Sequence, residues 1–107
     1  MNWYKKAQNS FQGRLGDCYR LSGKYVIDNQ KGTLVHGTIN GRRWTGKDFN
    51  NPHAWVEYDN KVFDPVWDQE FPQEVYYAIM KAKPQQKYNW EEMSKFMLRN
   101  SHWGPWK

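Results

Sequence analysis

The sequence predicts a small α+β domain, in which a helix that carries the lone cysteine packs on a small antiparallel β-sheet and further helices follow towards the C-terminus. Three observations predict this class: helical spacing after Asp17, β-branched and aromatic residues between 32 and 66, and helical patterns after Pro72. The 107 residues suit one domain, 1–107. The 18% aromatic content supplies large side chains for a core and argues against a disordered chain.

The first helix is expected to begin at Asp17 or Cys18. Leu21 and Tyr25 lie four residues apart, and Cys18 lies three residues before Leu21, which is the spacing of one helical face. Asp17 can cap free backbone N–H groups at such a start. Gly23 weakens the pattern, because an interior Gly costs about 1 kcal/mol relative to Ala.

Residues that favour strands and turns follow this helix. The β-branched residues 32–39 predict a strand, and residues 40–52, which are rich in Gly, Asn and Asp, predict a loop. The segment PHAWVEYDNKVFDP (52–65) predicts a β-hairpin with Asp59 and Asn60 as its two-residue turn. These segments supply the strands of the expected sheet.

The C-terminal part predicts two helices and a folded tail. The segment QEVYYAIMKAK after Pro72 is expected to be helical and to end before Pro84. Asn89 with Glu92 three residues later has the form of a capping box, which predicts the start of a last helix. A Met and Phe stripe on that helix is expected to face the core, and the tail tryptophans are expected to fold back onto the body.

Parity in the predicted hairpin places His53 and Asp64 on one face of the sheet. With a two-residue turn, Tyr58 lies opposite Lys61, and His53 and Asp64 become diagonal neighbours about 7–8 Å apart at their Cα atoms. That distance is within hydrogen-bonding reach of the side chains. A shift of one residue in the register would separate the pair. The opposite face carries the expected core residues Ala54, Val56, Tyr58 and Phe63.

Cys18, His53 and Asp64 form a candidate set for nucleophilic catalysis. An Asp beside a His fixes the imidazole tautomer and stabilises the imidazolium. An imidazole held in this way can take a proton from a thiol and so produce the reactive thiolate. Cys18 is the single cysteine of the chain, and a helix N-terminus lowers the pKa of a thiol. The three residues therefore have the chemistry of a nucleophile, a base and an orienting group.

Other roles fit each of these residues taken singly. A lone Cys is usually a small buried apolar residue, a lone His on a strand is more often structural, and an Asp before Pro is a common turn former. A zinc site built from Cys18, His53, Asp64 and His36 is a further alternative, although the chain lacks the Cys-rich spacing of structural zinc sites. The sequence predicts no cofactor.

The segments around these residues resemble transglutaminase-like proteins. HAWVEYDNKVFDP resembles their His and Asp region, GDCYRLSGKYV resembles the Gly-x-Cys helix start that precedes it, and GTLVHGTING resembles the strand between them. The resemblance spans roughly residues 10–68. It implies an α+β fold and acyl transfer by a cysteine hydrolase. Members of this family include thiol proteases, protein cross-linking enzymes and deamidases. It also implies a protein or peptide substrate.

The wider papain-like superfamily adds one candidate residue. Its cysteine peptidases commonly carry a Gln shortly before the Cys, and Gln12 lies six residues before Cys18. By that resemblance, the Gln12 side chain and the Cys18 backbone N–H form the oxyanion hole. A surface position for Gln12 is the alternative. The chain departs from the larger transglutaminase-like proteins in its brevity and in having no calcium-loop pattern.

Charge and hydropathy limit the partners and the cellular compartment that the sequence predicts. The formal net charge of +5 is spread along the chain, which favours a solvated basic surface over a nucleic-acid footprint. The alternative function is a non-enzymatic, Trp-rich binding module that holds an acidic protein or nucleic acid through Arg42, Arg43, Trp44 and the tail tryptophans. The lone cysteine and the lack of a signal-like or membrane-spanning apolar run predict a cytoplasmic protein without membrane partners.

Overall fold

The computed structural model describes residues 17–40 and 50–106. Over these residues the chain forms a five-stranded antiparallel sheet with three helices, which is the predicted α+β class. The strands lie in the order β4-β3-β2-β1-β5 across the sheet. In chain order the elements are α1 (Cys18–Asn29), β1 (Thr33–Asn40), β2 (Asn50–Tyr58), β3 (Lys61–Asp64), β4 (Gln69–Pro72), α2 (Gln73–Met80), β5 (Lys83–Tyr88) and α3 (Trp90–Asn100).

Helix α1 begins at Cys18, as the spacing predicts, but Asp17 does not cap it. The Asp17 carboxylate instead pairs with Arg20 at 2.6 Å on the protein surface. The backbone of Asp17 (φ −108°, ψ 9°) is also outside the extended conformation that a capping residue usually adopts. Gly23 is buried, and a Cβ atom there would lie 2.8 Å from the Trp103 ring. The absence of a side chain at Gly23 therefore permits the tail to pack against α1.

The hairpin forms in the predicted register. Tyr58 lies opposite Lys61, and the pairing continues through Glu57 with Val62 to Val56 with Phe63. Asp59 and Asn60 both have positive φ, at 49° and 60°. Such values match the right-handed twist of the two strands, and Asp and Asn adopt them more readily than most residues.

Helices cover both faces of the sheet. On one face α2 closes over a core that consists of Val35, Ile39, Trp55, Val62, Tyr76 and Met80. On the other face α1 and α3 close over a core that consists of Val26, Leu34, Val56, Tyr88 and Met93. The sequence predicts only the second of these as a core face. Because α2 covers the first face as well, His53, Glu57 and Asp64 on that side are buried.

The polar segment after α2 differs from the prediction. Helix α2 ends at Met80 with Lys81 in the left-handed conformation, and Lys83–Tyr88 then forms the edge strand β5 beside β1. The residues of β5 are almost all exposed and show no apolar alternation, so the strand has no sequence signal. Strand β4 is likewise absent from the prediction, and β2 already begins at Asn50, inside the predicted loop.

The last helix and the tail agree with the prediction. Asn89 and Glu92 form a reciprocal capping box, with N···O distances of 2.8 and 3.1 Å. After α3 the chain returns to the body, where the Trp106 ring packs against His36 and Phe96. These contacts attach the end of the described chain to the face that also carries α1.

Candidate active site

His53 and Asp64 are in direct contact inside the protein. The His53 Nε2 and Asp64 Oδ2 atoms are 2.8 Å apart, and both side chains are 0% exposed. The last residue pair of the β2–β3 ladder is Val56 with Phe63, so the two polar residues lie just beyond it. The hairpin parity that the sequence predicts thus brings the imidazole and the carboxylate together.

Asp64 accepts three hydrogen bonds. Besides His53, the Tyr76 hydroxyl donates to Oδ2 at 2.7 Å, and the Val66 backbone N–H donates to Oδ1 at 3.0 Å. A buried carboxylate needs such donors, because burial without them costs several kcal/mol. Sequence reasoning missed Tyr76. The available signal was a pair of tyrosines in a predicted helix, since a buried phenol usually has a polar partner.

Cys18 lies beside this pair at the first residue of α1. Its side chain is 2% exposed and packs against Ala54, the neighbour of His53, and against Val66, two residues after Asp64. The thiol is near enough to His53 to affect the pKa of the ring by hydrogen bonding and by charge. The structure therefore assembles the three predicted residues from one helix start and two strands.

The two ring nitrogens of His53 have different surroundings. Nε2 is bonded to Asp64, whereas Nδ1 is buried and has no hydrogen-bond partner of ordinary geometry in the described residues. Nδ1 is consequently the nitrogen that remains for the Cys18 thiol. Contacts between catalytic groups are often loose without substrate and tighten when it binds.

Trp55 covers the imidazole of His53 and is itself held by a hydrogen bond to the Glu57 carboxylate. Its ring stacks on His53, with centroids 6.2 Å apart and planes 28° apart. The Trp55 indole N–H donates to Glu57 Oε2 at 3.0 Å, and Tyr77 donates to the same oxygen. Lys87 lies 3.2 Å from the other Glu57 oxygen. This partly buried polar cluster holds the apolar cover over His53 in place.

Opposing effects set the pKa of His53. Burial by itself lowers it, but hydrogen bonds and charge attraction from Asp64 and Cys18 outweigh burial and raise the pKa of His53 to about 9. At neutral pH the ring is therefore an imidazolium between a carboxylate and a thiol. A cationic imidazole next to a thiol favours the thiolate.

We expect His53 to remain protonated to about pH 9, as measured by the ring NMR signals during a pH titration. Because this pKa lies above the ordinary 6.5, its contribution to folding stability is complete below pH 6.5 and is lost as the pH rises through 9. In Asp64→Asn the main attraction is absent, so the pKa of His53 falls. His36 is an internal reference, since burial lowers its pKa to about 4. A His53 that titrates near 6.5 in the unaltered protein would contradict the assigned geometry.

Two further residues are predicted as parts of the site or of its zinc alternative. Gln12 is outside the described residues. His36 is on the neighbouring strand and packs among Tyr19, Tyr88 and Trp106. In residues 17–40 and 50–106 no three His, Cys, Asp or Glu side chains are arranged so that they could hold a metal ion. The four residues of the zinc alternative all lie in these ranges, and they do not converge as ligands.

The predicted nucleic-acid surface is described only in part. Arg42, Arg43 and Trp44 are outside the described residues. Trp103 and Trp106 are half-buried against the body, so little of their ring surface remains for stacking on bases. In the described part of the chain, no helix combines the length and apolarity that crossing a membrane requires.

Comparison of the chain with protein-family models, curated proteins and solved structures finds no match.

Proposed function

We propose that this protein catalyses thiol-dependent acyl transfer from an amide of a protein or peptide, with Cys18 as nucleophile, His53 as base and acid, and Asp64 as the orienting group. The observation that carries the proposal is the fully buried His53–Asp64 pair, whose second ring nitrogen is left for Cys18. A buried ion pair contributes little net stability compared with apolar packing, so a purely structural role explains its presence poorly.

The reaction begins with the thiolate of Cys18 and the imidazolium of His53. The sulfur attacks the amide carbonyl and forms a tetrahedral intermediate, whose negative oxygen needs hydrogen-bond donors. The Cys18 backbone N–H is one such donor, because the first N–H groups of a helix have no partner within the helix. By its resemblance to papain-like enzymes, Gln12 is the proposed second donor.

Collapse of the intermediate breaks the C–N bond. His53 donates its proton to the leaving nitrogen, and the acyl group remains as a thioester on Cys18. Neutral His53 then removes a proton from water, which attacks the thioester and releases the acid and the Cys18 thiolate. Asp64 keeps Nε2 occupied throughout, so that Nδ1 is the nitrogen that exchanges protons. An amine in place of water gives transamidation by the same steps.

A mixture of peptides with varied sequences tests the proposed function. We expect new peptide ends by mass spectrometry with the unaltered protein, and none with Cys18→Ser. Adding methylamine distinguishes the acceptors, because transfer to the amine leaves a methylamide on the product. Equal peptide cleavage by the protein and by Cys18→Ser would show that the activity does not belong to this thiol.

A further inference from the structure

Two donors share one oxygen of the Asp64 carboxylate. The His53 Nε2 atom lies 2.8 Å from Oδ2, and the Tyr76 hydroxyl donates to the same oxygen at 2.7 Å. The other oxygen accepts the Val66 N–H. A donor that stabilises the negative charge of a carboxylate lowers the affinity of that carboxylate for a proton. Tyr76 therefore weakens the attraction of Asp64 for the proton that His53 carries.

Tyr76 keeps this hydrogen bond over the whole pH range in which His53 titrates. Burial and the charge of Asp64 raise the pKa of the Tyr76 phenol far above its ordinary value of 10.0, so the hydroxyl retains its proton. The side chain is fully buried, and its ring packs against Trp55 and Phe71, with centroids 5.6 and 5.5 Å away. Packing of α2 thus holds the hydroxyl against Asp64.

Few other titratable groups act on the His53 ring and the Asp64 carboxylate. In the described residues, the titratable side chains around them are those of Cys18 on α1, Glu57 on β2, and Tyr76 and Tyr77 on α2. Glu57 and Tyr77 are bonded to each other. Strand β1 adds no charge, because its residue opposite His53 is Gly37. Cys18 and Tyr76 are therefore the groups that act on the pair directly.

The contribution of Tyr76 is largest when Cys18 carries an acyl group. In the free protein, Cys18 and Asp64 both help to hold the proton on His53. A thioester sulfur has no charge, so the attraction that remains comes from Asp64. At this stage His53 has to be neutral, because it removes a proton from the attacking water. A carboxylate that attracts the proton too strongly would delay this step.

We propose that Tyr76 is a positioning residue of the site, and that its hydrogen bond to Asp64 Oδ2 lets His53 give up its proton before water attacks the thioester. In the attack, Nδ1 of His53 takes a proton from water, and the water oxygen bonds to the carbonyl carbon. The C–S bond then breaks and releases the carboxylic acid and the Cys18 thiolate. This role in turnover rests on the proposed function, whereas the effect of Tyr76 on the pair does not.

The first test is an NMR titration of the His53 ring in Tyr76→Phe, which keeps the aromatic ring and loses only the hydroxyl. We expect the pKa of His53 to rise above its value of about 9 in the unaltered protein, because Oδ2 then accepts from His53 alone. Tyr25→Phe is the matched control, since it removes a phenol hydroxyl from a ring of α1 that stacks on Phe63, and it should leave this pKa unchanged. An unchanged or lower pKa of His53 in Tyr76→Phe would overturn the proposal.

The second test uses p-nitrophenyl acetate and needs no knowledge of the peptide substrate. The ester transfers its acetyl group to the Cys18 thiolate with release of p-nitrophenolate, and water then releases acetate. At pH 7 we expect acetate release to be about fivefold slower in Tyr76→Phe than in the unaltered protein, as the loss of one net hydrogen bond gives. Its pH profile should move to higher pH. The first release of p-nitrophenolate should be unchanged, and Tyr25→Phe should match the unaltered protein in both steps.

The outcomes distinguish the two proposals. Absence of an acetyl group on Cys18 of the unaltered protein would refute the proposed function and, with it, the role of Tyr76 in turnover. Acetylation of Cys18 followed by equal acetate release from the unaltered protein and Tyr76→Phe would refute the role of Tyr76 alone. Equal slowing of both steps in Tyr76→Phe would also refute it, because a merely structural residue affects both.

Discussion

Replacing Asp64 by Ala is expected to lower the free energy of unfolding by about 3–5 kcal/mol at neutral pH. The substitution leaves the His53 ring, the Tyr76 hydroxyl and the Val66 N–H buried without their common acceptor. It also removes the charge that balances the buried imidazolium, and breaking one side of such a pair costs far more than the pair contributes. Urea denaturation followed by far-UV circular dichroism measures the change.

Two matched variants separate this effect from the general loss of a side chain. Glu70→Ala removes an exposed acid from the adjacent strand, whose ion pair with Lys61 is 3.9 Å long, and should cost less than about 1 kcal/mol. Tyr76→Phe removes one of the three donors to Asp64 and should cost about 1 kcal/mol, with little change in packing. An Asp64→Ala protein as stable as Glu70→Ala would show that the buried network is not formed in solution.

The largest functional effect is expected from the nucleophile and its base. Cys18→Ser and His53→Gln should each lower the rate of peptide cleavage by about 10³-fold or more. The reason is that removing either member of a catalytic unit removes most of the contribution that the whole unit makes to the rate. The double variant should be little worse than either single one for the same reason. The measurement is the initial rate of peptide cleavage at a saturating concentration of peptide.

His102→Gln is the control for this comparison. His102 is exposed in the tail, beyond α3, and has no place in the proposed reaction. Its replacement should leave the cleavage rate unchanged within about twofold. Additive losses in the double variant would argue that Cys18 and His53 act separately and not as a pair.

The hairpin could be predicted from the sequence because its determinants are local. Asp59 and Asn60 select a two-residue turn, and the turn fixes the register that brings His53 and Asp64 to one face. The start of α1 at Cys18 follows equally from local spacing. These features supply the three central residues of the candidate site.

The surroundings of the site could not be predicted, because they depend on contacts between distant segments. Tyr76 lies 12 residues after Asp64 on a helix whose packing face is set by the whole sheet. Strand β5 has polar residues because it is an exposed edge, and it forms through pairing with β1. Nothing in the sequence around His36 indicates whether this residue is a metal ligand or a packing residue. Its position among aromatic rings is visible only in the folded protein.

Alkylation of Cys18 by iodoacetamide near pH 6.5 tests most directly whether His53 activates the thiol, because it requires no knowledge of the substrate. Cys18 is 2% exposed, so rates are compared between folded variants, with the denatured proteins as the reference for equal access. We predict that the unaltered protein and His102→Gln are alkylated at least about tenfold faster than His53→Gln, since the thiolate is the reactive form. Equal rates in the folded unaltered protein and in folded His53→Gln would contradict the proposed pair.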